Sequence, residues 1–305
     1  MVPLPSFVVH ESLGIEGSYQ TLSLGPEGHF EPEALPAYLL PRLDRQRGVI
    51  ISGKAPVWLY SYWVGQLGAW PWVACFDPKL SGAVVVSSRV AAWPVGQVIP
   101  IAFNTAPCGA ILIGGPPNSG KSTLAHGLRQ RLMTMRPELR LYLHRANWDG
   151  EGSHTYENPD PLLAKQLANL SKYKIHLQGE GERLVAQYFA YQGEAIANIR
   201  RWRDLVLVDV GGWPEPTKGP VVAQCTHSIV ISRDPAAVGA WHDLCQGLQP
   251  LAVIHSVQQD CLEVLQEEPY LELIAGPWVR GCAIPDELCD RVLSILPQSA
   301  KNPPF

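Results

Sequence analysis

The stretch that decides the fold is Ala110-Ile-Leu-Ile-Gly114-Gly115-Pro116-Pro117-Asn118-Ser119-Gly120-Lys121-Ser122-Thr123-Leu-Ala-His-Gly-Leu128. An apolar run of strand length meets a glycine-rich turn, and an amphipathic helical pattern starts at the lysine. Residues 115–122 match G-x-x-x-x-G-K-S, a phosphate loop in which successive backbone N–H groups curve round a triphosphate. The helix start adds positive potential at the same place. Residues 115–123 are therefore expected to hold the nucleotide, with Lys121 on the β- and γ-phosphates and Ser122 on Mg2+.

A second run supports this. Leu205-Val-Leu-Val-Asp209-Val-Gly-Gly212 reads as a buried strand ending in an acid, predicted to lie beside the phosphate-loop strand. Asp209 would then serve the magnesium shell as a Walker B acid. The same residues fit the D-x-x-G of GTPases. The later strand, however, ends Ile231-Ser-Arg-Asp234, without the Asn-Lys-x-Asp that selects guanine, so ATP is the expected nucleotide. In the loop Arg145-Ala-Asn-Trp-Asp149-Gly-Glu-Gly-Ser-His154, Asp149 is a candidate base for a phosphoryl acceptor, or simply a solvated Asp-Gly turn. Arg200, Arg201 and Arg203 read either as a charge-stabilising finger or as cations favoured at a helix C-terminus.

Around these motifs, apolar strands are predicted near 110–114, 139–144, 204–209, 226–232 and 251–255. Helices are predicted near 121–134, 160–170, 183–203, 235–247 and 285–296. Strands alternating with helices imply an α/β fold with a parallel sheet covered on both faces. The segment Phe103-Asn-Thr-Ala-Pro-Cys108 is the best linker, giving domains 1–104 and 105–305. A length of 305 residues fits two domains at roughly 150 each.

Hydrophobic residues make up 46% and charged ones 17%, which excludes a disordered chain. The 24 Lys+Arg against 28 Asp+Glu give a net charge of −4, which argues against a protein that tracks long nucleic acid and leaves room for a small anion site. Seven cysteines, odd in number and without a C-x-x-C pair, are read as reduced thiols of a cytoplasmic protein without a secretory leader. No run approaches 18 uninterrupted apolar residues, so no membrane span is expected. The nine histidines show no ligand spacing, so a structural metal is not expected.

The first 104 residues differ in pattern, with strands predicted near 7–10, 19–24, 48–52, 72–76 and 83–88 and helices near 32–43 and 56–67. The run Gly48-Val-Ile-Ile-Ser52-Gly53-Lys54-Ala-Pro56-Val-Trp58-Leu-Tyr60 reads as strand, glycine turn and helix start, which aims backbone N–H groups at an anion or is an ordinary β–α turn. This run and Val73-Ala-Cys-Phe76-Asp77-Pro78-Lys79-Leu-Ser-Gly-Ala-Val-Val-Val86, followed by Val95-Gly-Gln-Val-Ile99, resemble the small ring nucleases of type III CRISPR antiviral systems. The resemblance covers about residues 5–102.

It implies a small α/β ring-nuclease-like domain that binds cyclic tetraadenylate between associated dimers and cleaves it with Mn2+, in some members fused to a P-loop ATPase. It further implies ligand contacts at Ser52, Gly53, Lys54, Asp77 and Lys79, with Asp77 the catalytic candidate. The family's histidines before the Asp-Pro motif are missing, since none occurs between His29 and His126, and its arginine is Lys79. Binding is therefore expected over cleavage. Trp70 and Trp72 are candidates to stack on adenine, or core residues.

The leading expectation is a CRISPR accessory protein, a homo-oligomer (dimer or tetramer), that binds cyclic tetraadenylate at one end and binds and hydrolyses ATP with Mg2+ at the other. The competing expectation is a P-loop kinase acting on a small molecule or nucleotide, with the first domain regulatory or oligomerising.

Overall fold

A computed structural model describes residues 7–14, 17–24, 30–53, 55–101, 106–147, 160, 162–163, 166 and 179–297. The chain separates into two compact units, the division falling between residues 104 and 105.

The first unit is a six-stranded mixed sheet in the order β1 to β6: β1 Phe7–Gly14, β2 Gly17–Leu24, β3 Gly48–Ser52, β4 Trp72–Asp77, β5 Gly82–Ser88 and β6 Val98–Pro100. Helix α1, Val57–Gln66, carries the chain from β3 to its parallel neighbour β4, as a crossover must. Alternation along β3 sends Val49 and Ile51 to one face, where they pack with Leu59, Trp63 and Leu67, and sends Ile50 to the other with Trp72, Ala74 and Val85. The helix expected over 32–43 is instead a short 3-10 turn, Pro32–Ala37. Pro36 inside it withholds an N–H, and Pro41 disfavours helical backbone in the residue before it.

The second unit is a seven-stranded sheet in the order β12-β13-β11-β10-β7-β9-β8. Its strands are β7 Gly109–Gly114, β8 Leu141–Ala146, β9 Leu205–Val210, β10 His227–Ser232, β11 Gln249–Ser256, β12 Cys261–Gln266 and β13 Leu271–Gly276. All pairings are parallel except β12 on β13. Helices α2 (Lys121–Met135) and α5 (Asp286–Leu293) cover one face through Leu124, Leu128, Leu132, Leu288 and Val292. Helices α3 (Gly181–Ile199) and α4 (Pro235–Leu244) cover the other through Val185, Phe189, Ile196 and Trp241.

This is the α/β fold expected of 105–305, with one correction. The predicted strands stop at 255, yet β12 and β13 add a hairpin beyond it, before the helix expected near 285–296. Leu271, Leu273 and Ala275 alternate into the core, so the signal was a period of two. Most of the helix expected over 160–170 lies outside the described residues. No helix among the described residues is long and apolar enough to cross a membrane.

Candidate functional site

Strand β7 delivers the chain to the phosphate loop at the carboxyl edge of the sheet, where open α/β sheets bind ligands. Trp241 of α4 is fully buried and sits where a Cβ on Gly114 would fall, 2.5 Å from its ring, so a glycine is required there. At Gly115 a Cβ would lie 2.1 Å from the Ile231 carbonyl oxygen. The loop then turns through two left-handed residues, Asn118 (φ 61°) and Gly120 (φ 96°), which curve its N–H groups inward. On Gly120 a Cβ would meet the Trp278 side chain at 2.6 Å, and Trp278 is itself fixed by its indole N–H donating to the Ala275 carbonyl at 2.9 Å. The loop is therefore wedged between α4 and the segment after β13.

Lys121 opens α2, is nearly buried, and its Nζ donates to the Pro116 carbonyl at 3.4 Å, folding over the loop it follows. Ser122 and Thr123 are half-buried in the first turn. Ser119 is buried, and its hydroxyl has no hydrogen-bond partner among the described residues.

Strand β9 lies directly beside β7 and pairs Asp209 with Ile113, one residue before the end of β7. Asp209 is 1% exposed. On its other side β8 places Arg145 in register with it, and the guanidinium Nε stands 3.4 Å from the carboxylate. His126 of α2 is buried nearby, and burial together with the Arg145 and Arg129 charges pushes its imidazole down to about 4, so it is neutral at pH 7. After β9 the chain passes Gly211, whose Cβ position lies 2.6 Å from the Asn147 side chain, and reaches Lys218, which is 1% exposed. The lysine Nζ pairs with Glu215 at 3.4 Å.

A phosphate loop, a neighbouring buried acid and an unclaimed buried hydroxyl form a donor set that fits a magnesium nucleoside triphosphate. Lys121 and the loop N–H groups would take the phosphates, and Ser122 and Asp209 would take the metal. Asp149 lies outside the described residues. Asp234 does other work: its carboxylate caps α4 by accepting the Ala236 N–H at 3.0 Å. Of the two readings of the arginines, the charge-stabilising finger fits neither Arg200 nor Arg203. Arg200 donates to the Cys108 carbonyl at 2.6 Å and to the Gln224 carbonyl at 2.8 Å, at the amino ends of the strands and away from the loop. Arg203 lies over the Trp202 ring at 4.2 Å. Sequence reading gave no role to Lys218, Arg145 or His126. Only Arg145 left a signal, a charge continuing the inward phase of Leu141 and Leu143.

In the first unit, β3 and β4 are parallel with Ile51 opposite Cys75, which brings Ser52 and Asp77 to the same edge of the sheet. Ser52 is nearly buried, and Gly53 takes φ 122°. The Tyr60 hydroxyl reaches back from α1 to donate to the Gly53 carbonyl at 2.7 Å and pins the turn. Asp77 Oδ1 accepts the Lys79 N–H at 2.9 Å, closing the turn into β5. Lys54 lies outside the described residues. The stacking role considered for the tryptophans does not fit. Trp72 is buried against Trp93, with ring centroids 5.0 Å apart, and the Trp70 indole donates to the Asp44 carbonyl at 3.0 Å with Arg45 over its ring.

The sheet order, with the acid-bearing strand beside the loop-bearing one, and the wedged loop define a P-loop NTPase-like unit following a small mixed α/β domain. Residues 23–100 match the model of the family described as CRISPR-associated protein (Cas_csx3). A curated relative from Aquifex aeolicus (strain VF5), described as an uncharacterized protein, is 41% identical over 51 residues, 17% of this chain, and the chain spans 46% of that relative's length. Among solved structures, a protein of Borrelia burgdorferi B31 described as a putative plasmid partition protein, bound to AMPPNP, is similar at 12% identity over 62% of this chain and 98% of its own, with a TM-score of 0.42. A GTPase of Pyrococcus abyssi in apo form is 14% identical over 48% of this chain and 66% of its own, with a TM-score of 0.31. The thymidylate kinase of Ehrlichia chaffeensis is 16% identical over 47% of this chain and 80% of its own, with a TM-score of 0.26.

Proposed function

We propose that this chain is a CRISPR accessory protein that binds cyclic tetraadenylate through residues 1–104 and binds and hydrolyses ATP with Mg2+ through residues 105–305. One observation carries the second half: Asp209 is buried in register beside the strand that opens onto the Gly115–Thr123 loop. Mg2+ supplies charge neutralisation on the phosphates when bound. The chain's own contribution is to hold the triphosphate with backbone N–H groups and Lys121, and to keep an acid, Asp209, at the metal's position.

For the first half, support comes from the family match over residues 23–100 and from the gathering of Ser52, Gly53 and Asp77 at one sheet edge. Without a histidine between His29 and His126, this edge lacks the imidazoles that metal ligation or proton transfer would use, so the messenger is held and not cut. Messenger binding and nucleotide turnover are coupled through a homo-oligomer.

The test is ATP turnover by the purified full chain with and without cyclic tetraadenylate, alongside equilibrium binding of the messenger. Micromolar binding and a changed rate are expected. Absence of binding would remove the messenger from the account. Transfer of γ-label to an added small molecule or nucleotide, instead of its release as phosphate, would make the second unit a kinase.

A further inference from the structure

Strands β8 and β9 bring a cation to the acid of the nucleotide site. Their parallel register sets Arg145 beside Asp209. The period of two puts both on the face where Leu141, Leu143, Leu205 and Leu207 pack with Leu124 and Leu128 of α2, the helix that Lys121 opens. The guanidinium Nε stands 3.4 Å from Asp209 Oδ2, and the two side chains keep only 9% and 2% of their surface in solvent. Just past the pair, the Asn147 side chain lies 2.6 Å from the Cβ position of Gly211. The exits of the two strands are thus packed against each other, and any change at this place falls to the Arg145 side chain and not to its backbone.

The charge of that side chain bears on what Asp209 can take up. Mg2+ arriving alone would have to push the guanidinium aside or sit next to it. Either costs free energy: the first breaks a buried ion pair, and the second sets a dication beside a like charge where water screens little. Mg2+ arriving with a triphosphate is in a different position, because the phosphates bring an excess of negative charge that offsets the arginine.

We propose that Arg145 holds the Asp209 carboxylate while the site has no nucleotide and bars a lone Mg2+ from it, so that the metal enters only together with the triphosphate. This rests on the reading of residues 115–123 and Asp209 as the site of a magnesium nucleotide. Arg145 acts through Asp209 and is a positioning residue. The acid stays paired until a ligand carrying both the metal and negative charge arrives, and free divalent cations leave the site alone.

An arginine that merely stabilises the sheet would leave metal uptake without nucleotide unchanged, and this separates the two roles. Mn2+, read by its electron paramagnetic resonance, is titrated as the probe into the full chain without nucleotide. The proteins are wild type, Asp209→Asn, Arg145→Met and Arg145→Met/Asp209→Asn. The Asp209→Asn variants subtract any manganese held elsewhere on the chain.

Wild type and Asp209→Asn should take up the same manganese. Arg145→Met should gain one site per chain, roughly 10- to 100-fold tighter than any Asp209-dependent uptake by wild type, the range expected when a neighbouring like charge is removed, and the double variant should lose it. Asp209-dependent uptake as tight in wild type as in Arg145→Met, or no site gained in Arg145→Met, overturns the proposal. Should Arg145→Met fail to fold, wild type decides by calorimetry. Millimolar Mg2+ alone should leave the unfolding transition where EDTA leaves it, while Mg2+ with a non-hydrolysable ATP analogue should raise it. A rise with Mg2+ alone that Asp209→Asn removes overturns the proposal. Lys121→Ala keeps the two readings apart. If wild type binds the analogue with Mg2+ and Lys121→Ala does not, the nucleotide site stands whatever Arg145 does; if wild type binds no nucleotide, both readings fall together.

Discussion

The Arg145–Asp209 pair offers the most quantitative handle on the site. The two residues are cross-strand neighbours on β8 and β9, 3.4 Å apart, with side-chain exposures of 9% and 2%. At an effective dielectric constant of about 20, charges at that distance attract by about 5 kcal/mol. Desolvation of both groups offsets much of this, so a measured coupling of about 2–3 kcal/mol is expected. Arg145→Met alone should cost more, about 3–5 kcal/mol, because it removes a cation from beside the buried Asp209 carboxylate. The double variant Arg145→Met/Asp209→Asn should recover most of that loss. The assay is a double-mutant cycle on the full chain by calorimetry, following the transition that Mg·ATP moves upward. A coupling below about 0.5 kcal/mol, or a double variant as unstable as Arg145→Met, would refute the electrostatic reasoning.

Gly115→Ala places a methyl 2.1 Å from a backbone oxygen of β10, which cannot rotate aside. We expect a loss of about 1–3 kcal/mol in stability and weakened ATP binding; unchanged affinity by titration calorimetry would count against the wedged loop. His126 should make the protein acid-sensitive. Its folded pKa, about 4, lies below the ordinary value, so the unfolded chain takes up its proton first. The stability is fully present above about pH 6.5 and falls as pH drops toward 4, by at most about 3 kcal/mol. His126→Gln should flatten that limb in urea melts taken across this range, and parallel curves would contradict it. Trp72→Ala, which empties a buried ring packed between Tyr19 and Trp93, should cost about 3–5 kcal/mol without a specific loss of messenger affinity at the remaining folded fraction. A selective affinity loss in a binding titration would restore the stacking role.

The second unit was largely legible because its signals are local. A glycine-rich loop between an apolar strand and a helix has few other uses, and Asp209 closes an apolar strand that pairs beside it. The β12–β13 hairpin escaped because β12 is an edge strand exposing Leu262, Val264 and Leu265, so its alternation buries little. Lys218 and Arg145 escaped for a different reason. Their environment is made by residues distant in sequence, Phe189 for one and Asp209 for the other; Arg145 keeps the inward phase of its strand, but the phase alone does not name the acid it meets. In the first unit, Trp70 and Trp72 show the reverse: aromatic content suggested stacking, yet Trp72 opens β4 at the end opposite Asp77, and the two rings pack against Arg45 and Trp93.

The central claim is that the Gly115–Thr123 loop and Asp209 act on ATP. Phosphate release from γ-labelled ATP, with Mg2+, by the full chain and by Lys121→Ala tests it most directly. The account predicts turnover in wild type that vanishes in the folded Lys121→Ala protein. Equal release by both would contradict it.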